Sequence, residues 1–278
     1  MSANSNDDPP ETVLAPPVED HWSALRHLTP ARVALGRSGV SLPTAAVLDL
    51  GHAHALARDA VHCDFEAAHL GRAAAALGLE TFTVASAAPD RSTYLRRPDL
   101  GRRLSAGSRT ELSSAPQGCD LVIVIADGLS ATAVHAKAPA LLEALLPGIS
   151  AEGWSLAPVV LARQGRVALG DDIGEALGAR MCLVLIGERP GLSSPDSLGA
   201  YLTFAPRVGR RDNERNCVSN IRPAGLSADR AAASLLWLMA EGFRRSGTGV
   251  ALKDESMQEA RIAAPERTDP RLEPGKTC

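Results

Sequence analysis

The sequence predicts an α/β protein: a Rossmann-like, mostly parallel sheet with helices on both faces, preceded by a smaller helical N-terminal domain. Three observations predict it. The runs Leu121–Ala126 and Met181–Ile186 are apolar without alternation, as strands covered on both faces require. From about residue 118 such runs alternate with stretches of helical periodicity, the pattern that crossover helices impose on a parallel sheet. Before about residue 110 the periodicity is helical instead. The expected organisation is therefore a disordered tail over 1–20, a helical domain over 21–110, a sheet domain over 118–250 and a second disordered tail over 252–278.

Taken in order, residues 1–20 are polar and proline-rich and carry too little apolar surface to fold alone. Helical patterning begins at His21, and Ser41-Leu-Pro-Thr44 reads as a helix start because proline is tolerated in the first turn. The helix that follows is expected to bury Val47, Leu50, His54, Ala57 and Val61 as one stripe. It also carries His52, His54, Asp59 and His62, but residues two apart point to opposite sides of a helix, and only Asp59 and His62 share a face. A metal site needs three or four converging ligands, so these read as a surface pair and a packed core or interface histidine at His54. Tyr94-Leu-Arg-Arg-Pro-Asp-Leu-Gly-Arg-Arg103 is the densest basic stretch, with Asp99 placed to cap a turn. Its four arginines read as a solvated face or a subunit contact, with anion binding as the alternative. Gly107 to Gly118 has linker composition.

Beyond the linker, Leu121–Ala126 is a strand and Ser130 opens a helix from Ala131 to Leu146. Pro158–Ala162 is a second strand, Asp171–Leu177 a short helix, Met181–Ile186 the central strand and Ala200–Phe204 a weaker fourth. Ser227 opens a long amphipathic helix through Arg245, with Leu235, Leu236, Met239 and Phe243 facing inward.

The bulk numbers exclude several classes of partner. Twenty-nine basic against 32 acidic residues give a net charge of −3, so no global basic field draws the chain to nucleic acid or anionic lipid. Aromatic content of 3% is too low for the stacking platforms that bind single strands. No apolar run approaches the roughly 20 residues of a bilayer span, and the start of the chain lacks a signal-peptide apolar core. The five cysteines, without a C-x-x-C pair, suit reduced thiols, and the expected location is the cytoplasm.

The common catalytic signatures are absent. There is no G-x-G-x-x-G after a strand, no P-loop, no G-x-S-x-G elbow and no H-E-x-x-H. Asp127-Gly-Leu-Ser130 only loosely resembles a nucleophile corner, because no histidine follows His135. What remains is a set of polar strand ends expected to gather on one rim: Asp127–Ser130, Arg163–Val167, Gly187–Pro190 and Asn216–Ile221. Such a rim offers backbone amides, arginine donors and a carboxylate, which suits a large ligand bearing amides and a phosphate. It does not assemble a general acid, a base and a nucleophile, so no catalytic residue and no metal ligand are assigned.

Several strings together resemble the light chain of ethanolamine ammonia-lyase. They are Gly36-Arg-Ser-Gly-Val-Ser-Leu-Pro-Thr44, His54-Ala-Leu-Ala-Arg-Asp59, Arg97-Pro-Asp-Leu-Gly-Arg-Arg103 and Ile125-Ala-Asp-Gly-Leu-Ser130. Gly165-Arg-Val167, Asp171–Ala179, Gly187-Glu-Arg-Pro-Gly-Leu192 and Cys217-Val-Ser-Asn-Ile221 continue the likeness in the same order, from about residue 30 to about 250. The resemblance implies an adenosylcobalamin-dependent lyase that converts ethanolamine to acetaldehyde and ammonia by radical chemistry, with the substrate site in a large-subunit TIM barrel. It further implies a corrin held between the two chains in a hexamer of heterodimers, either free in the cytoplasm or within a bacterial microcompartment. The cofactor contacts it assigns to this chain are Val167, Glu188 and Cys217, with Arg166 and Arg189 as further candidates. Cobalamin enzymes that displace the nucleotide base carry Asp-x-His-x-x-Gly, and the nearest string here, Asp49-Leu-Gly-His52, has the wrong spacing. The expectation is base-on cobalamin with no histidine ligand to cobalt. The competing readings are a stand-alone nucleotide-binding α/β enzyme and a non-catalytic microcompartment-associated scaffold.

Overall fold

The computed structural model describes residues 22–29 and 31–256. The tail expected over 1–20 lies outside the described residues, as does 257–278 of the second one. Within the described part of that second stretch, Leu252 is buried in the core and Ser256 Oγ lies 3.3 Å from Ser234 Oγ. The chain divides into two compact units, Met1–Ala53 and His54–Cys278.

In the first unit a short 3-10 helix, Ser23–His27, is followed by extended chain, and the Arg26 guanidinium donates to the Ala34 carbonyl. Pro43 then opens α1 (Thr44–His62), the helix that the Ser-Leu-Pro-Thr string predicts. Its expected stripe is corrected in part: Leu50, Ala57 and Val61 are half-buried, but Val47 and His54 are not. Ala53 and Ala60 are the buried positions, whereas Val47 is 51% exposed and His54 is exposed, so His54 is not packed in the core of this chain. Small alanines mark the closely packed side, and their weak hydrophobicity hid it from a reading that followed the larger side chains.

The second unit is built on a six-stranded sheet in the order β1-β3-β2-β4-β5-β6. Its strands are β1 (Thr81–Ala85), β2 (Leu121–Ala126), β3 (Val159–Arg163), β4 (Met181–Gly187), β5 (Leu198–Phe204) and β6 (Arg215–Ile221). The first four pair in parallel, and β5 and β6 add antiparallel, so the sheet is mixed rather than mostly parallel throughout. Two of these strands stand where the sequence predicts none. β1 lies within the expected helical domain and joins the sheet as an edge, and β6 occupies a segment expected as a rim loop. Each buries only part of its residues, and β6 has Val218 and Ile221 as its buried apolar side chains. An edge strand half covered in this way has no continuous apolar run to announce it.

Helices α2 (Ala67–Ala76), α5 (Ala131–Ala151) and α7 (Ala228–Arg245) cover one face, packing Leu70, Val134, Leu141, Leu145, Leu235 and Met239 on Ile123, Ile125, Leu183 and Leu185. Ser130 and Ser227 cap α5 and α7 by accepting from Ala133 N and Arg230 N. The other face carries α4 (Ala106–Leu112) and α6 (Leu169–Ala176), with Leu112, Leu169 and Ile173 on Val122, Val124 and Val184. α4 replaces part of the expected linker, capped by Ser105, while α3 (Arg91–Arg96) is capped by Asp90. Asp99 makes no cap and instead pairs with Arg97 at 2.7 Å, which holds its carboxyl down at about 2, below the ordinary carboxylate range. Among the described residues no helix is long and apolar enough to cross a membrane.

Candidate functional site

α6 is short, and that shortness exposes part of the sheet. It lies close on β4 because its glycines leave no room for a side chain: a Cβ on Gly170 would stand 2.3 Å from Val184 Cγ2, and one on Gly174 would stand 2.4 Å from Pro206. Beyond it, on the same face, Tyr201 of β5 is opposite Val184 of β4 and Cys217 of β6, and Thr203 is opposite Arg215. Among the described residues no helix covers this antiparallel corner as α6 covers β4, and Cys217 is exposed. α6 reaches across it with one side chain: Asp171 receives Arg215 Nη1 at 2.5 Å and Nη2 at 2.8 Å, both groups being buried. Burial pushes the Asp171 carboxyl up and the guanidinium opposes that push. Arg215 remains a cation in this pair.

A cavity of about 670 Å³ occupies the uncovered corner. Its floor is Tyr201, Cys217 and Arg215, and Val167 and Val208 give it apolar walls. Arg102, Arg103, Arg166 and Arg211 line it as well, against only Asp171 and Asp212 among acids. Arg102 and Arg103 make no side-chain ion pair among the described residues, and the buried Nε of Arg166 has no hydrogen-bond partner. The lining is thus cationic and partly apolar, with donors to spare for an anion or for carbonyl groups. Of the basic stretch 94–103, then, Tyr94 is buried, Arg97 is tied to Asp99, and Arg102 and Arg103 face this cavity.

The structure places two of the three predicted site residues, Val167 and Cys217, on this lining. Val167 precedes α6 in the β3–α6 loop and is half-buried. Although Cys217 is exposed, partial desolvation of its sulfur pushes the thiol up despite the hydrogen bond from the Tyr201 hydroxyl, and the Tyr201 phenol is itself pushed up, first by burial. Both are neutral at neutral pH. Glu188 is outside the lining, just past β4, where Ser197 Oγ donates to its Oε2 at 2.5 Å and Asn220 N at 3.3 Å. A Cβ on Gly199 would come within 3.1 Å of Glu188 Oε1 and 3.2 Å of the Tyr201 ring, so the missing side chain lets the carboxylate and the tyrosine share one patch. Arg189 is exposed and apart from the cavity.

Three of the four predicted corners gather on one rim. Gln164 and Gly165 donate to Asp127, and Leu129 N donates to Gly187 O at 2.9 Å. The fourth meets them through Asn220 and Glu188, and its Cys217 shares the cavity lining with Arg166 and Val167. Ser130 is fully buried, caps α5 and donates to Pro195 O, so the loose likeness to a nucleophile corner has a structural explanation. The sequence reading missed Tyr201, Arg215, Arg210 and Arg211; the dense string Arg207-Val-Gly-Arg-Arg-Asp212 was the available signal for the last two.

The fold and the site define an α/β chain with a cationic, half-apolar cavity on one face of its sheet, beside the antiparallel strands β5 and β6. The family described as ethanolamine ammonia-lyase light chain (EutC) matches residues 19–253. The chain is 59% identical over 246 residues to the ethanolamine ammonia-lyase small subunit of Azotobacter vinelandii, covering 87% of this chain and 91% of that one. It is 60% identical over 238 residues to the protein of the same name from Bradyrhizobium diazoefficiens, covering 85% and 91%. For the one from Ralstonia nicotianae the identity is 55% over 255 residues, covering 90% and 93%. The chain belongs to the ethanolamine ammonia-lyase light chain family.

Proposed function

We propose that this chain is the small subunit of an adenosylcobalamin-dependent ethanolamine ammonia-lyase, and that the cavity beside α6 is its share of the cofactor site. The observation that carries the reading is the lining itself, in which Arg102 and Arg103, without an ion-pair partner among the described residues, stand beside the apolar surface of Val167, Val208 and Tyr201. A cavity of about 670 Å³ suits a drug-sized ligand, and cobalamin with its nucleotide is larger, so one chain covers only part of it. The remainder falls to a large subunit that also holds the substrate.

When bound, adenosylcobalamin supplies the radical chemistry through its cobalt–carbon bond. The residues of this chain bind and orient. Val167 has no polar side-chain atom and offers packing surface and its backbone groups. The carboxylate of Glu188 has acceptor capacity left beyond its bonds to Ser197 and Asn220, matched to the amide N–H groups around a corrin. Cys217 contributes a neutral thiol rather than a metal-ligating thiolate. Arg102, Arg103, Arg166 and Arg211 provide cationic donors for the single phosphate of the nucleotide. The cofactor binds with its own base attached, in a cytoplasmic or microcompartment-enclosed hexamer of heterodimers. Membership of the light-chain family supports this reading over that of a stand-alone nucleotide-binding enzyme.

The test is reconstitution. Ammonia release from ethanolamine is expected only when this chain, a large subunit and adenosylcobalamin are mixed, with little from this chain alone. Equal activity of the large subunit without this chain would overturn the reading.

A further inference from the structure

We propose that the corner Asp127-Gly-Leu-Ser130 is a positioning hub: its carboxylate sets the loop Gln164–Val167, and its backbone crossings set Glu188, without itself lining the cavity. What is being positioned rests on the cofactor reading above; the clamp itself rests on geometry alone.

The first half of the hub is a carboxylate that grips a strained loop. Gln164 has a left-handed backbone with φ of 55°, a conformation that a residue with a side chain rarely adopts. Both oxygens of Asp127 hold that turn in place, Oδ2 accepting from Gln164 N at 3.0 Å and Oδ1 from Gly165 N at 2.9 Å. Arg91 fastens the carboxylate from behind. Its Nη1 lies 3.3 Å from Oδ2, 2.9 Å from Gly128 O and 3.4 Å from Gln164 Oε1, and its Nε donates to Val61 O at 2.7 Å.

Tyr94 holds the far side of the loop. Its hydroxyl donates to Gly165 O at 3.0 Å, and its ring carries Arg91 at 4.8 Å and Arg166 at 4.3 Å from the centroid. Arg166 N donates to Gly101 O at 2.8 Å, an approach that needs glycine, because a Cβ there would stand 2.9 Å from Arg166 Cγ and 3.0 Å from the Tyr94 ring. The next residues along the loop, Arg166 and Val167, are cavity lining while Asp127, Arg91 and Tyr94 are not.

The second half is contact between backbones. Gly128 is left-handed with φ of 56°, and a Cβ on it would fall 2.3 Å from Gly187 O; one on Gly187 would fall 2.1 Å from Ser130 O. The corner and the end of β4 are therefore locked together immediately before Glu188. Ser130 Oγ also donates to Pro195 O at 2.9 Å, holding the loop that brings Ser197 to Glu188. The groups that face the carboxylate are Arg91, Tyr94 and, across the tyrosine ring, Arg166. Burial pushes Asp127 up to about 6, so its charge, and with it one of its two acceptor oxygens, is lost in mildly acidic solution.

The experiment uses Asp127→Asn and, because that variant removes a buried group, Arg91→Gln as a second lesion of the same clamp. Amide hydrogen exchange of Gln164 to Val167 is measured in the full chain, and cobalamin is titrated spectroscopically into the two-subunit complex between pH 5 and 8. Both variants are expected to raise exchange in that segment about tenfold or more while α7 keeps its protection, and to weaken cobalamin binding by about tenfold. The unmodified complex is expected to lose affinity as pH falls through about 6, and Asp127→Asn to lack that dependence. Unchanged exchange at Gln164 to Val167, or the same pH profile in Asp127→Asn, overturns the proposal. Failure of the unmodified complex to bind cobalamin overturns the cofactor reading instead, and the exchange measurement still judges the clamp.

Discussion

Glu188 is held in place by its own chain before any ligand arrives. Ser197 and Asn220 donate to one oxygen, and the bare backbone of Gly199 leaves space beside the other. Replacing it with alanine removes one charged acceptor and leaves the Ser197 hydroxyl without its partner. Glu188→Ala is expected to weaken cobalamin affinity by about 1–3 kcal/mol in an equilibrium titration of the complex, the range for a lost charge-assisted hydrogen bond. An unchanged affinity would mean that this carboxylate serves only the β4–β5 loop. Residues of this kind were legible as types, since an acid after a buried strand and a glycine is conspicuous in Gly187-Glu-Arg-Pro190. Their partners were not, because Ser197, Asn220 and Gly199 come together through two strand pairings.

At the scale of elements, continuous apolar runs and capped helices were read correctly and half-covered edges were not. β2 and β4 are buried along their whole lengths, and α5 and α7 begin at the serines that cap them. α7 stands on the face opposite the cavity, and its cap is a clean test of helix energetics away from the site. Ser227→Ala is expected to cost about 1 kcal/mol in urea denaturation and to leave cobalamin affinity unchanged. A shift in affinity would show that the α7 face communicates with the cavity. β1, β6 and α4 escaped the sequence reading for one reason: each exposes part of its surface, so polar residues interrupt the pattern that marks a buried element.

For the whole molecule, the carboxylate of the hub ties stability to pH. Its folded pKa is raised from 3.8 to about 6, so between those values the folded chain binds more protons than the unfolded one. The contribution of Asp127 is then fully present below about pH 4 and is lost as pH rises through about 6. Asp99 and Glu241, both held down at about 2 by arginine partners, act in the opposite sense, but they are common to wild type and variant. The stability of Asp127→Asn relative to wild type is therefore expected to increase from pH 4 to pH 6 and to level off above pH 7, measured by denaturant titration at each pH. A difference independent of pH would place Asp127 outside that range.

The α/β class, the central strands, the capped helices and the family are written in local periodicity or in contiguous motifs, and these the residues declare without a structure. The sequence also named the loops at the strand ends, where chain reversal demands glycine and polar residues. That the sheet turns antiparallel at β5 and β6, and that α6 stops short of them, emerged from the folded chain. So did the gathering of the arginines at 102, 103, 166 and 211 around one cavity. Those facts depend on which strands pair and on how closely a glycine-faced helix lies on its neighbour, and no local pattern encodes either.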